Sequence, residues 1–171
     1  MKRVTLVVLA VLVVALVAGC GTSPRSYVKN FKKYLPAQVG DWTRDDKATV
    51  ELLSSTITNK GHVTMLYNGP DGAIAYVVVE AHPGVDVAEV AITTRERELL
   101  MQGLTFEKDR QPPKATADVA QQGRVRYAFF REDEIVVEID ALAADEATPV
   151  SDEAFGDLLT MVRNAYAKVL G

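Results

Sequence analysis

The chain is read as an α/β protein of the α+β kind. It is expected to hold a mostly antiparallel sheet of about six strands between helices, an α/β/α sandwich. Three observations predict this. The segment Asn68-Gly69-Pro70-Asp71-Gly72 separates two apolar runs and is dense in residues that accept turn geometry, the pattern of a hairpin. Two further apolar runs, Arg124–Phe130 and Glu134–Leu142, lie close enough to form a second hairpin. Two segments of helical period, Asp86–Gln102 and the stretch after Ser151, bracket the later strands.

In chain order, the first element is a targeting segment. Lys2 and Arg3 precede an aliphatic run from Val4 to Ala18 broken only by Thr5, and Val17-Ala18-Gly19-Cys20 closes it. A positive start, a short apolar core and small residues before a cut describe a secretory signal. The run falls short of the roughly 20 residues of a comfortable membrane span. With the cysteine directly after the small residues, the segment resembles the lipobox of bacterial lipoproteins. The resemblance implies cleavage between Gly19 and Cys20 and an S-diacylglycerol on the Cys20 thiol, with a further acyl chain such as palmitate on the new amino terminus. It places the mature chain on the extracytoplasmic side, anchored by membrane lipid to the cell membrane or the outer membrane. Residues 1–19 are then the signal peptide, 20–25 a lipidated tether, and 26–171 one globular domain.

Removing the signal leaves 152 residues, enough for a single domain with a real core. Seventeen basic against twenty-three acidic residues give the mature chain a charge of −6. That balance argues against nucleic acid as a partner, which calls for a basic surface. Cys20 is the only cysteine. Its use for lipid leaves no internal disulfide, no thiolate nucleophile and no cysteine zinc site.

Ser26 to Leu35 predicts a short helix that Ser26 caps, with Tyr27, Phe31, Tyr34 and Leu35 at helical spacing and Pro36 as its stop. Arg25, Lys29, Lys32 and Lys33 make this stretch basic in an otherwise acidic chain. Two readings stand. Beside an anchor, these residues suit anionic lipid headgroups as a membrane-proximal patch. Alternatively the aromatic face packs on the domain and the lysines are merely solvated.

Trp42 opens the domain as a core anchor. Thr49–Thr58 is an expected strand that turns at Asn59-Lys60-Gly61, and His62–Tyr67 is the next. Ala73–Val79 is apolar at every position, which predicts a strand buried on both faces. His82-Pro83-Gly84 breaks it. Asp86 is expected to cap a helix with Ala88, Ile92 and Leu99 inside and Gly103 as its stop. Thr105–Lys108 and Ala115–Gln121 are short strands around the loop Gln111–Lys114. For the second hairpin, charge complementarity selects Arg126 opposite Glu138 and Arg124 opposite Asp140, leaving Val125, Tyr127 and Phe129 on an apolar face. The four charged residues then form a solvated ion-pair lattice or a polar binding face. Ser151 caps the final helix, whose stripe is Phe155, Leu158, Leu159, Val162, Tyr166 and Val169.

The order of elements, the Trp42 opening, the Asp86–Gln102 helix after the central strands and the closing amphipathic helix are similar to the PsbP/Mog1 fold group, which includes lipoproteins of the DcrB type. The resemblance covers about Gly40 to Leu170 and implies a PsbP/Mog1-like fold and a non-enzymatic accessory role. It carries over no site residue, because no motif aligns.

The chemistry on offer is sparse. No nucleophile elbow, Walker A or dinucleotide fingerprint occurs. His62 opens one strand and His82 ends the strand paired with it, so that they and Glu80 can approach one another at one end of the sheet. Two histidines and a carboxylate suit a metal, but strand-end histidines with no shared role are the commoner case, and neither metal nor cofactor is expected. The acidic runs Asp45-Asp46 and Glu132-Asp133-Glu134 fall in expected turns. The expected function is a membrane-anchored, non-enzymatic binding or accessory module for an envelope protein or complex. The alternatives are a carrier of lipid or another apolar ligand, and a hydrolase that uses His62 or His82.

Overall fold

Eight strands form one antiparallel sheet among the residues described by a computed structural model, 24–52, 61–109 and 116–169. Residues 1–23, where the signal peptide, the lipobox and most of the tether are expected, lie outside the described residues. So do the far end of the expected 49–58 strand, the turn at 59–60 and the loop 111–114.

The strands are β1 (Gln38–Val39), β2 (Trp42–Leu52), β3 (Gly61–Asn68), β4 (Ile74–Ala81), β5 (Glu107–Asp109), β6 (Ala117–Gln122), β7 (Val125–Glu132) and β8 (Ile135–Leu142). Their order across the sheet is β1-β2-β3-β4-β8-β7-β6-β5. Two four-stranded meanders therefore meet along β4 and β8. Three α-helices complete the described fold, α1 (Pro24–Tyr34), α2 (Val85–Met101), which joins the meanders, and α3 (Asp152–Val169), with one 3-10 turn at Pro70–Gly72 between β3 and β4. The α+β class stands as expected, but the strand count is eight rather than about six. The edge strand β5 overlaps the short strand expected at Thr105–Lys108, whereas β1, two residues long, is too short to show a period of two.

Local sequence accounts for most boundaries. α1 begins two residues before Ser26, because Pro24 carries the fixed φ that a first helical turn needs. α2 starts from Gly84 without a side-chain cap; Asp86 instead sits in its first turn, where its charge favours the helix dipole. Gly103, at φ +90°, ends it as expected. In α3, Ser151 Oγ accepts from the Ala154 N–H at 3.2 Å, the expected cap. Asp45-Asp46, expected in a turn, lie within β2 at a register shift between Asp45 and Val50. There Asp45 Oδ1 accepts from the N–H groups of Lys47 and Ala48 at 2.9 and 3.3 Å. A local carboxylate thus replaces the ladder bonds that the bulge removes.

The two faces of the sheet are covered unequally. One face presents Val63, Met65 and Tyr67 from β3, Ala75, Val77, Val79 and Ala81 from β4, and Ile135, Val137, Ile139 and Ala141 from β8, all buried. α1 and α3 close over it with Val28, Phe31, Leu35, Phe155, Leu158, Val162 and Tyr166. The Tyr166 ring meets Phe31 edge-on at 4.8 Å between centroids, and its hydroxyl donates to Ile135 O at 3.1 Å. Among the described residues the opposite face has α2 alone, packed through Ala88, Ile92 and Leu99 on Phe129 and Val136. A helix is about 10–12 Å wide, whereas eight strands at about 4.8 Å spacing span roughly 34 Å. One helix therefore leaves much of that face open. β4 shows the result. Its inner residues are fully buried, yet Tyr76 is 39% exposed and Val78 half-buried. The expectation of a strand buried on both faces fails there for want of a second covering helix.

The second hairpin folds in a different register from the one charge complementarity selects. Glu132 pairs with Ile135, Phe129 with Glu138, Tyr127 with Asp140 and Arg126 with Ala141. The turn is a tight two-residue one, with Asp133 at φ +53°. The pairing is slipped by three residues from the expected one. Three is odd, so the slip puts the arginine and the carboxylates on opposite faces.

Candidate functional site

The open face beside α2 forms a cleft of about 380 Å³, lined by residues of β3, β4, β7, β8 and α2. Its floor is set by the pleat. His62, Glu80, Glu138 and Asp140 occupy alternate positions on three adjacent strands, interspersed with Val78, Val136 and Phe129. Its wall is α2, which contributes Ala91, Ile92 and Arg95. Arg95 follows Ile92 by three residues and precedes Leu99 by four, so helical spacing turns it to the same inner side.

Two polar clusters meet in this cleft. In the first, Glu80 lies between two histidines. Its Oε1 is 3.0 Å from His62 Nδ1 and its Oε2 is 3.6 Å from His82 Nε2. The histidine contacts outweigh burial and hold the Glu80 carboxyl below its ordinary range. An ionised carboxylate only accepts, so His62 donates from Nδ1; in the neutral ring Nε2 accepts from the Thr64 hydroxyl at 2.8 Å. His82 is buried, and its backbone N–H donates to Glu134 O at 2.8 Å. The structure thus brings together the three residues that sequence placed at one end of the sheet. Among the described residues no group of three or more His, Cys, Asp or Glu is arranged to hold a metal ion.

The second cluster was not anticipated. Arg95 Nε donates to Glu138 Oε1 at 3.1 Å, and its Nη1 lies 3.5 Å from Glu98. Asp140, two residues along β8 from Glu138, has a buried Oδ1 with no hydrogen-bond partner among the described residues. Burial first, and the Glu138 charge second, push the Asp140 carboxyl up to about 7, with Arg95 acting in the other direction. Burial also raises the Tyr127 phenol, which pairs across the sheet with Asp140. A signal for this cluster was present. Glu138 and Asp140 interrupt the apolar run of β8 at alternate positions, and Arg95 interrupts the inner stripe of α2.

The proposed polar face of Arg124, Arg126, Glu138 and Asp140 does not exist as one surface. Glu138 and Asp140 enter the cleft, while Arg126 points to the α3 side. There its Nη1 lies 2.6 Å from Asp152 and its guanidinium 5.6 Å from the Phe155 ring centroid. Arg124 lies just before β7, and its carbonyl accepts from the Ala143 N–H. In the basic stretch, Arg25 falls inside α1, Lys29 and Lys33 are exposed, and Lys32 is half-buried. Cys20 and Gly19 lie outside the described residues.

The two clusters have opposite pH signatures. A lowered folded-state carboxyl contributes stability above the unfolded value and loses it as pH falls through the folded one. Glu80→Gln is therefore expected to cost about 1 kcal/mol at pH 7 and clearly less at pH 3, below the ordinary glutamate range. Urea unfolding at both pH values measures it, and an equal cost at both would show that Glu80 acts by packing rather than charge.

No described helix is long and apolar enough to cross a membrane. No protein-family model matches the sequence, and no curated protein matches it. Among solved structures it is similar to the extracellular domain of PknH from Mycobacterium tuberculosis. The TM-score is 0.42 and the identity 13%, over 78% of this chain and 84% of that one.

Proposed function

We propose that this protein is a lipid-anchored, extracytoplasmic binding module with no catalytic activity of its own. It serves another component of the cell envelope, and the cleft beside α2 is its binding surface. The observation that carries the anchor is Val17-Ala18-Gly19-Cys20, behind a positive start and an apolar run and only four residues ahead of the first described helix. What supports binding rather than catalysis is the make-up of the cleft. Among the described residues its lining has carboxylates, one arginine and one histidine against apolar walls, and no serine, cysteine or lysine. A carboxyl that is costly to ionise yet kept in an open cleft supports a recognition role for that cleft.

The anchor is tested with Cys20→Ser in a bacterium that processes lipoproteins. The wild-type chain is expected to incorporate labelled palmitate, run at mature size and fractionate with membranes. The variant is expected to incorporate none and to accumulate as the larger precursor. Unchanged size and unchanged labelling of the variant would remove the lipoprotein reading.

A further inference from the structure

The fold separates charge along an axis through the sheet. α1 carries Arg25, Lys29, Lys32 and Lys33 and no acidic residue. From residue 36 onward the chain has thirteen basic and twenty-three acidic residues, a balance of −10. The four cations therefore sit together on one helix of a domain that is otherwise anionic. The apolar side of α1, Val28, Phe31 and Leu35, is spent on the core. Among the described side chains of α1, Lys29 and Lys33 are exposed, with Tyr34 36% exposed at its end. Lys168 of α3 adds a cation beside that end, its Nζ 5.9 Å from the Tyr34 ring centroid. α1 and α2 lie on opposite faces of the sheet.

We infer that the outer side of α1, extended by Lys168, is a docking surface for anionic phospholipid headgroups, and that it holds the domain with the α2 cleft turned away from the membrane. The inference rests on the lipid anchor at Cys20 and deepens that reading. Chain length fixes the occupant. Three residues separate Cys20 from Pro24, and the four steps between them reach at most about 14 Å when fully extended. At about 1.5 Å per residue, Lys29 lies a further 7–8 Å along the helix. A surface potential decays over a Debye length of about 8–10 Å at physiological salt, and α1, first after the tether, is the described part of the domain that the anchor holds nearest to that potential. The anionic remainder of the domain is repelled by the same surface, and the two forces together set the orientation. Because the apolar stripe is buried in the core, contact is electrostatic and superficial, with no insertion of the helix.

Cys20 is the only cysteine, so once it is lipidated an introduced cysteine can be labelled uniquely. The full chain, purified from membranes with Ala37→Cys beside α1 or Met101→Cys at the end of α2, is labelled with a fluorophore. It is then placed on vesicles of phosphatidylcholine with or without phosphatidylglycerol. Shielding of the label from an aqueous quencher is read in each case. The expected result is shielding of the Ala37→Cys label only where phosphatidylglycerol is present, lost at about 1 M salt, where the Debye length is near 3 Å. The Met101→Cys label is expected to stay accessible throughout. Each cation near an anionic surface contributes a factor of about five, so Lys29→Gln with Lys33→Gln is expected to lower the docked-to-free ratio about 25-fold. Equal accessibility of the Ala37→Cys label on both vesicles, or shielding of both labels, overturns the inference. The anchor is scored separately, by retention on phosphatidylcholine vesicles after a high-salt wash. A chain retained only by phosphatidylglycerol at low salt sinks the anchor and keeps the α1 surface; a chain retained by neither sinks both.

Discussion

Asp140→Asn is expected to stabilise the protein, more at pH 8 than at pH 5, with the difference closing toward pH 3. The Asp140 carboxyl is raised in the folded state from 3.8 to about 7, chiefly by burial and then by the Glu138 charge. The folded chain therefore binds this proton more tightly than the unfolded one. Stability contributed by the site is full below about pH 4, falls as pH rises through 7, and is flat beyond. Asparagine has the shape of the protonated acid and no charge to desolvate. A shift of about three pH units integrates to about 4 kcal/mol, and part of it is shared with Glu138, so the gain at pH 8 is on the order of 2–4 kcal/mol. In a domain of this size that raises the melting temperature by roughly 5–15 °C. Arg95 keeps its contacts with Glu138 and Glu98 in the variant, so the gain is not offset by an orphaned guanidinium. Thermal melts of both proteins at pH 5 and pH 8 decide the matter. A gap that is the same at both pH values, or larger at pH 5, would mean that Asp140 is not the group that titrates. If the cleft uses its negative charge to bind a partner, the stabilised variant binds less well above pH 7, the usual exchange of stability for function.

How much of this was legible in the sequence depends on the range over which each signal acts. The stripe Phe155, Leu158, Leu159, Val162, Tyr166 carried α3 because helical period is local and long. Asn68 to Gly72 carried the β3–β4 hairpin because turn chemistry is local and short. The register of β7 and β8 was not legible. Pairing Arg126 with Glu138 satisfied charge within the hairpin, but the partner of Arg126 is Asp152, on a helix that begins ten residues after β8. The turn itself gave little warning, since it needs Asp133 in the left-handed region, which aspartate enters more readily than most residues but which no glycine announces. The cleft followed from the same long-range facts. Glu138 and Asp140 could be seen to break an apolar strand, and Arg95 to break an apolar helix face. That they break it at the same place depends on where α2 crosses the sheet. The His62–Glu80–His82 grouping was readable because β3 and β4 form a hairpin, so adjacency in space follows from counting residues around one turn.

Trp42→Ala is expected to be the most damaging single substitution among the described residues of β2. Trp42 is fully buried at the start of the strand, and its Nε1–H donates to Ala154 O at 2.8 Å in the first turn of α3. Its ring also lies directly against Gly69 in the β3–β4 turn, where an added Cβ would stand 2.4 Å from Cζ3. One side chain thus ties β2, the turn of the first hairpin and the start of α3 together, and no smaller residue spans those three. Removing a buried tryptophan leaves a large cavity and costs about 3–5 kcal/mol. The melting temperature is then expected to fall by about 10 °C or more. Trp42→Phe keeps most of the packing and loses the donor, so it is expected to cost about 1–2 kcal/mol. Denaturant unfolding of the two variants separates packing from the hydrogen bond, and a Phe variant as unstable as the Ala variant would assign the anchor to the Nε1–H. The mature chain has no disulfide to fall back on, since its one cysteine is the proposed lipid acceptor. A total stability of about 5–15 kcal/mol then rests on this core alone. Loss of 3–5 kcal/mol raises the unfolded fraction more than a hundredfold, and steady-state level in the producing cell, read by immunoblot beside the melt, is expected to fall with it.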